Sequence, residues 1–308
     1  MNQLTAIIPF LNEGAEIERT VASIRETAGK EVNIILINDC SEDDTNYEAV
    51  AGKYGAKYFY NATRQGVARS RDIGVELCET PYFILFDGHM RFYHNNWWNE
   101  VVEALSNNDR AVYCLRCHAL DEQFQMIEKK SFGAHINMER TTDYSILEPT
   151  WNYCDVEPTE AFVPIPCVLG ACYALSKRYW QYLKGLTGLR TYGSDEPYLS
   201  LKTWLEGGFC YLMKDIRVGH IYRKKAPYEM SVPDRIYNKL LIAETILPVM
   251  HKNKVFSEMH QSNPNDCDEA MQILCENRKL IADLKKYYRH IFTRDVDVFI
   301  QFNNPMKQ

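Results

Sequence analysis

The chain has 308 residues, 46% apolar and 25% charged, with a formal net charge of −6. That is ample for a sizeable core and carries no general signature of nucleic-acid or anionic-membrane binding. No apolar run approaches the ~18 residues of a membrane span, and Met1-Asn2-Gln3-Leu4 passes into Thr5-Ala6-Ile7-Ile8 without a basic leader, so no signal peptide or membrane helix is expected.

Thr5 to Phe10 reads as a buried strand running out at its proline, followed by the loop Leu11-Asn12-Glu13-Gly14. Ile17, Val21 and Ile24 then recur at helical spacing through Arg25. Val32 to Ile37 is the second strand, and Asn38-Asp39-Cys40-Ser41-Glu42-Asp43-Asp44-Thr45 is a polar loop that can cap a helix running to Tyr54. Lys57 to Tyr60 is a short strand leading through Asn61-Ala62-Thr63-Arg64-Gln65-Gly66 to a helix over 67–78. Phe83-Ile84-Leu85-Phe86 is short, aromatic-rich and follows a Thr-Pro break, which predicts a fourth buried strand. Four alternations of strand and helix predict an open, mostly parallel α/β sheet, with ligands at the C-terminal strand ends. Asn12, Glu13, Asp39, Arg64 and Asp87 all fall in such loops.

The Phe83 strand ends in Asp87-Gly88-His89, and alternation puts the carboxylate and the imidazole on the same side. An oxygen ligand beside a nitrogen ligand at a sheet edge is a half-site for a divalent metal, although an ordinary strand end with a polar turn has the same composition. Neither the phosphate-loop nor the dinucleotide fingerprint is present. A metal with a basic residue nearby would suit a diphosphate all the same.

Residues 91–130 hold a helix from Trp97 to Leu105 and a strand through Cys114. Among ten scattered cysteines only Cys114 and Cys117 stand close, and no second pair follows to complete a zinc ribbon. Unpaired thiols in a chain without a leader suggest a reducing cytoplasm. Residues 131–165 read as an irregular loop over the site that could bind an acceptor, with Phe132, Trp151, Tyr153 and Phe162 giving it some packing. Cys167 to Leu175 is expected to be a core strand and Lys177 to Leu183 a helix. Thr191-Tyr192-Gly193-Ser194-Asp195-Glu196-Pro197-Tyr198 opens a further helix, where the two carboxylates can serve as caps or as site residues. Phe209 to Met213 is a strand, followed by Val218-Gly219-His220. The remainder looks helical, Ile236 to Leu247 and then Cys267 to Ile291. The last segment sets Arg278, Lys279, Lys285, Lys286 and Arg289 beside Leu280, Ile281, Leu284 and Ile291, so it either docks on the domain or lies on a membrane surface.

Taken together these loops resemble nucleotide-sugar glycosyltransferases of the GT-A fold. Phe10-Leu11-Asn12-Glu13, Asn38-Asp39-Cys40-Ser41 and Gly66 to Gly74 look like the first three motifs of family 2 enzymes. The closer likeness is to the catalytic domain of polypeptide N-acetylgalactosaminyltransferases. It rests on Asp87-Gly88-His89, on Arg64 to Arg71, on Tyr192-Gly193-Ser194-Asp195-Glu196, and on the run from Val218-Gly219-His220 to Pro227-Tyr228. The resemblance covers residues 4–230. It implies a catalytic domain over 1–230, with a nucleotide-binding half over 1–115 and an acceptor half over 116–230, then a helical extension over 231–308. Carried over by position, Pro9, Asn12, Glu13 and Asp39 line the nucleotide, Asp39 reaching the uracil or ribose, and Arg64 and Arg71 flank it. Asp87, His89 and His220 hold the metal, manganese or magnesium. Arg223 and Tyr228 reach the diphosphate, and Gly170 offers its backbone to the donor sugar. The family's membrane anchor and lectin domain have no counterpart in this sequence. Where the retaining family has Asn, this chain has Glu196, and inverting relatives with a similar loop place a carboxylate base there, with Asp195 orienting the hydroxyl.

The reading is therefore a metal-dependent transferase that is cytoplasmic or membrane-peripheral. It moves an N-acetylhexosamine or hexose from a UDP-sugar to a hydroxyl of a glycan or lipid-linked saccharide, with inversion favoured. Alternatives keep the donor and change the acceptor to a protein side chain or a hydroxymethylated DNA base, against which the negative charge counts. A nucleotidyltransferase would carry a basic Gly-rich loop where Phe10-Leu11-Asn12-Glu13 stands. A non-catalytic sugar-nucleotide binder would not need Asp87, His89 and Glu196 together.

Overall fold

A computed structural model describes residues 2–121, 123–142, 144–223 and 227–303. The first half is β1 (Leu4–Phe10), α1 (Glu16–Ala28), β2 (Val32–Asn38), α2 (Tyr47–Tyr54), β3 (Lys57–Tyr60), α3 (Val67–Leu77) and β4 (Tyr82–Phe86). There follow β5 (Met90–Phe92), α4 (Trp97–Asn107), β6 (Ala111–Leu120), β7 (Met126–Ile127), β8 (Ser131–Ile136), β9 (Pro149–Tyr153) and β10 (Phe162–Pro164). The second half continues with β11 (Cys172–Ser176), α5 (Lys177–Tyr182), α6 (Asp195–Leu205) and β12 (Phe209–His220). It ends in the helices α7 (Val232–Thr245), α8 (Val249–Ser262), α9 (Pro264–Glu276), α10 (Arg278–Ile291) and α11 (Val296–Phe302).

Apolar runs without alternation belong in strands covered on both faces, and every residue of β1 is buried. The main sheet runs β10-β12-β6-β11-β4-β1-β2-β3. β3, β2, β1 and β4 are mutually parallel, and β11 is antiparallel to β4 and to β6. Chain order reverses at β1, between β2 and β4, which is where such sheets open a crevice. β2 stays paired with β1 through Phe10, but β4 leaves β1 after Ile7–Leu85. Pro9 lies in that parting stretch and has no N–H to continue a ladder. β4 leans instead on the β11 side, where the Asp87 N–H donates to the Ala171 carbonyl.

The mostly parallel first half follows the sequence expectation, and four later segments do not. Residues 131–165 are not irregular: β8 and β9 pair as an antiparallel hairpin, and β10 joins the main sheet beside β12. A register shift between Ser131 and Ala134 interrupts the alternation that would have marked β8. The expected strand Cys167 to Leu175 is only β11; Cys167 makes an isolated bridge to Ala134, and the chain turns at Gly170 before extending. Phe209 to His220 is one strand with a shift between Met213 and Arg217 rather than two pieces. The single helix expected from Cys267 to Ile291 is broken at Asn277 into α9 and α10, and α8 was not foreseen.

Ile281, Leu284, Tyr288 and Ile291, on one face of α10, are buried. Tyr288 and Tyr198 hydroxyls meet at 2.9 Å, and Lys285 pairs with Glu244 of α7. This face of α10 therefore docks on the domain, while Leu280 stays exposed. No helix among the described residues is long and apolar enough to cross a membrane.

Candidate active site

The three residues expected to bind a cation converge. One donor atom from each of Asp87, His89 and His220 can be chosen so that all lie within 4.8 Å of one another. Asp87 follows β4, and His220 ends β12, where it pairs with Met90 of β5. The turn between is pinned by buried Thr20 of α1. Its hydroxyl donates to the Gly88 carbonyl at 2.9 Å and accepts from the Met90 N–H at 3.0 Å, so His89 is held from both sides. His89 Nδ1 donates to Glu13 Oε2 at 3.1 Å, which leaves Nε2 for a ligand, the usual carboxylate–histidine support of a metal site. His220 Nε2 lies 3.2 Å from Asp87 Oδ2, and its Nδ1 is buried without a partner among the described residues. Mixed O/N/N donors with an orphaned imidazole nitrogen and a second-layer carboxylate fit a divalent cation. Burial alone would raise the Asp87 carboxyl. The hydrogen bond and charge of His220, with Arg71 and His89, more than offset it and hold Asp87 at about 2.

Arg71 of α3 lies buried behind this group. It is ion-paired with Asp195, sits 3.3 Å from Asp87 Oδ1, and donates to the Gly170 carbonyl at 3.1 Å. Burial alone would lower its pKa, but the surrounding phenol and carboxylates, with Tyr173, Asp87 and Glu196 foremost, raise it. The guanidinium is thus a fixed positive charge. Asp195, expected to orient an acceptor hydroxyl, is buried and faces Arg71, so its visible work is to position that cation. Glu196, the next residue at the start of α6, lines the same cavity and makes no ion pair of its own among the described residues. Burial raises its carboxyl pKa; Arg71 opposes, and Glu148 and Asp87 add to the rise. A Cβ placed on Gly170 would collide with Glu196 Oε1, so only glycine lets that backbone approach the carboxylate so closely.

On the nucleotide side Asp39 is buried, and its carboxylate accepts from Asn61 Nδ2 at 2.9 Å, Gln65 N at 2.7 Å and Gly66 N at 2.8 Å. It therefore ties down the loop that carries Arg64. Gly66 begins α3 at φ +84° against the Thr191 backbone, a conformation that favours glycine. Arg64 donates to the Glu229 carbonyl at 2.9 Å and lies over the Tyr228 ring at 5.4 Å. Arg223 forks onto Glu13, joining the end of β12 to the loop after β1. Lys224, Lys225 and Ala226 of the same motif lie outside the described residues. Pro9, Glu13, Asp39, Arg64, Arg71, Gly170, Arg223 and Tyr228 line one cavity of about 570 Å³ with the cation triad, Asp195 and Glu196. Asn12 is the exception. It sits at φ +55°, and its side chain accepts from the Glu42 N–H at 2.8 Å, so it links two loops and does not line the cavity.

Sequence reasoning missed the far wall. Glu148, Pro149 and Trp151 reach the cavity from the β8–β9 hairpin, and Arg235 from α7. Trp151 was visible only as a packing aromatic. Buried Asn238 of α7 accepts from Arg190 N at 2.8 Å and donates to the carbonyls of Arg190, Tyr192 and Gly193, which fixes the loop leading to Glu196. No local pattern marked Glu148, Arg235 or Asn238.

An open sheet whose strand-end crevice gathers a carboxylate–imidazole cation site, arginines and an isolated carboxylate has the architecture of the GT-A fold. The family described as Glycosyl transferase family 2 matches residues 5–156. The chain is similar to polypeptide N-acetylgalactosaminyltransferase 4 of Caenorhabditis elegans, at 25% identity over 74% of this chain and 40% of that protein. It is also similar to polypeptide N-acetylgalactosaminyltransferase 10 of Homo sapiens, at 26% identity over 73% of this chain and 38% of that protein. It thus spans about two fifths of the length of these relatives. Among solved structures, GalNAc-T7 with UDP, GalNAc and Mn2+ superimposes with a TM-score of 0.77 at 19% identity, over 98% of this chain and 56% of that one. Residues 1–349 of Staphylococcus aureus TarS with UDP-GlcNAc give 0.55 at 13% identity, over 85% and 71%. The chain is a GT-A-fold relative of the polypeptide N-acetylgalactosaminyltransferases.

Proposed function

We propose that the protein transfers a sugar, an N-acetylhexosamine or a hexose, from a UDP-sugar to a hydroxyl acceptor with inversion at the anomeric carbon. The observation that carries this reading is Glu196: a cavity-lining carboxylate with a raised pKa, beside Arg71 and the cation triad. Asp87, His89 and His220 would hold Mn2+ or Mg2+, which supplies charge neutralisation at the diphosphate of the leaving nucleotide. Arg223, with Arg64 and Tyr228 at the rim, would bind that diphosphate, and Arg71 would stabilise the negative charge building on the leaving oxygen. Glu196 would take the proton from the acceptor hydroxyl as its oxygen bonds to the anomeric carbon. The bond from that carbon to the diphosphate oxygen breaks, and UDP leaves with the electron pair. A raised pKa makes Glu196 a stronger base than an ordinary carboxylate while leaving it ionisable.

This reading keeps residues 1–230 as the catalytic domain and adds α7 of the helical extension to its acceptor wall. The buried thiols of Cys78, Cys114, Cys117, Cys167, Cys172 and Cys210 are free, which supports a reducing, cytoplasmic setting. The acceptor in this reading is a glycan or lipid-linked saccharide. A protein side chain is the second reading, carried by the names of the curated relatives. The deciding experiment is incubation with a panel of UDP-sugars and Mn2+, reading hydrolysis and transfer. Absence of UDP release from every donor would sink the proposal.

A further inference from the structure

Part of the cavity wall is made by the β8–β9 hairpin and α7, segments that the proposed donor chemistry does not use. Lys239 of α7 is buried, with a side chain 1% exposed, and gives its ammonium to the Ile146 carbonyl at 2.8 Å and to Glu148 Oε1 at 2.5 Å. Arg235, one helical turn earlier, stands 3.6 Å from the same Oε1. Both cations thus act on one oxygen. Glu148 Oε2 makes no hydrogen bond among the described residues, although the residue lines the cavity. Trp151, three residues along the hairpin, lines the same cavity and packs edge-on against Tyr222 at 6.3 Å. Arg235, 35% exposed, reaches the cavity with guanidinium donors to spare.

The geometry points to an acceptor subsite formed by Glu148, Arg235 and Trp151, with Lys239 as its positioning residue, that takes a hydroxyl-rich saccharide ring. A carboxylate with one oxygen locked and the other open accepts from ring hydroxyls. The guanidinium donates to hydroxyl and ring oxygens, and the indole offers an apolar surface to the C–H face of a pyranose. Few, fixed polar groups beside one aromatic face are how small-ligand sites set orientation. The charge of Glu148 also reaches Glu196, where it helps to keep the proposed base basic. Helix α7 is then part of the site: Lys239 and Arg235 hold the acceptor wall, and Asn238 between them in sequence holds the loop before the base. This inference rests on the sugar-transfer reading above.

The test uses the full chain loaded with UDP and Mg2+. Ligand-observed saturation-transfer NMR is run with the methyl β-glycosides of glucose, galactose and N-acetylglucosamine, and with a Ser/Thr-rich peptide. At least one glycoside binds the wild type, and Glu148→Gln and Arg235→Gln each weaken it by about ten-fold or more. UDP affinity by calorimetry stays near wild type in both variants, and the melting temperature does so in Arg235→Gln, whereas Glu148→Gln strips the buried Lys239 of its partner and melts lower. Arg235→Gln leaves the buried Lys239–Glu148 contact in place, so a folding defect in one variant does not hide the result. Glycoside affinity unchanged from wild type in both variants overturns the subsite, as does no glycoside bound by the UDP-loaded wild type, or a peptide bound in preference to all three. Failure of the wild type to bind UDP appears in calorimetry before any glycoside is added. It overturns the donor reading and the subsite with it.

Discussion

The two walls of the cavity are held by different means. On the donor side, short strand-end loops are bonded to one another: Asp39 to Gln65 and Gly66, Asn12 to Glu42, Glu13 to His89. Each polar side chain there satisfies a neighbouring loop's backbone or orients a ligand. On the acceptor side, the hairpin and α7 meet through ion pairs between residues far apart in the chain, Glu148 and Lys239 being 91 positions apart. The proposed donor wall is thus built from loops at the strand ends of the main sheet. The proposed acceptor wall is assembled from a hairpin and a helix that lie outside the main sheet. Substitutions on the two walls should therefore separate donor binding from transfer.

Glu196→Gln should give the largest effect, a fall in turnover of roughly two to four orders of magnitude with UDP affinity unchanged. An NMR determination of product configuration accompanies it: a β-linked product from an α-linked donor is expected, and an α-linked product removes Glu196 from the role of base. Next comes His220→Ala, which should abolish metal-dependent UDP binding in calorimetry, as EDTA should in the wild type. Full activity of this variant without metal would refute the cation site. Glu13→Gln should follow, with metal affinity down roughly ten-fold to a hundred-fold, because a neutral amide with one acceptor oxygen cannot both support His89 and pair with Arg223. A titration with Mn2+ followed by electron paramagnetic resonance reads this directly.

Asp39→Asn tests the donor wall by stability. An amide cannot accept from all three donors that the carboxylate serves. A cost of about 1–3 kcal/mol in urea unfolding is expected, with loss of UDP preference over CDP and GDP. Equal wild-type affinity for the three nucleotides would break the link between Asp39 and the base.

The smallest effect is in pH. Glu196 works as a base only when ionised, and its pKa is raised by burial, so kcat should fall with decreasing pH along a limb above the ordinary carboxylate range. The same shift has a sign for stability. Between the ordinary and the raised pKa the folded chain holds the proton more tightly than the unfolded one, so stability falls as pH rises through that window. The ligand-free Glu196→Gln protein should then melt at or above the wild-type temperature at neutral pH. A lower melting temperature with no acid limb in the wild type would place the carboxylate in a merely structural role.

The four alternating strands and helices, the crevice at their ends, and the Asp87–His89 half-site were legible in the sequence, and motif order added His220 to that pair. Unbroken apolar runs must be buried on both faces, and polar residues that follow them must emerge at the sheet edge. Asp39, Arg64, Arg71, Arg223 and Glu196 were found through motif order. Their partners were not, because a motif names a residue and not the group that it faces. Thus Asp195 turned out to clasp Arg71, and Asn12 to join two loops.

What only the tertiary structure decided is the proposed acceptor wall and the state of the Glu196 carboxyl. The β8–β9 hairpin is disguised by its register shift, and Glu148, Lys239 and Arg235 look like ordinary surface charges until the chain brings the hairpin against α7. The raised pKa of Glu196 depends first on burial beneath residues from several segments, and burial is a sum over neighbours that no local stretch of sequence contains.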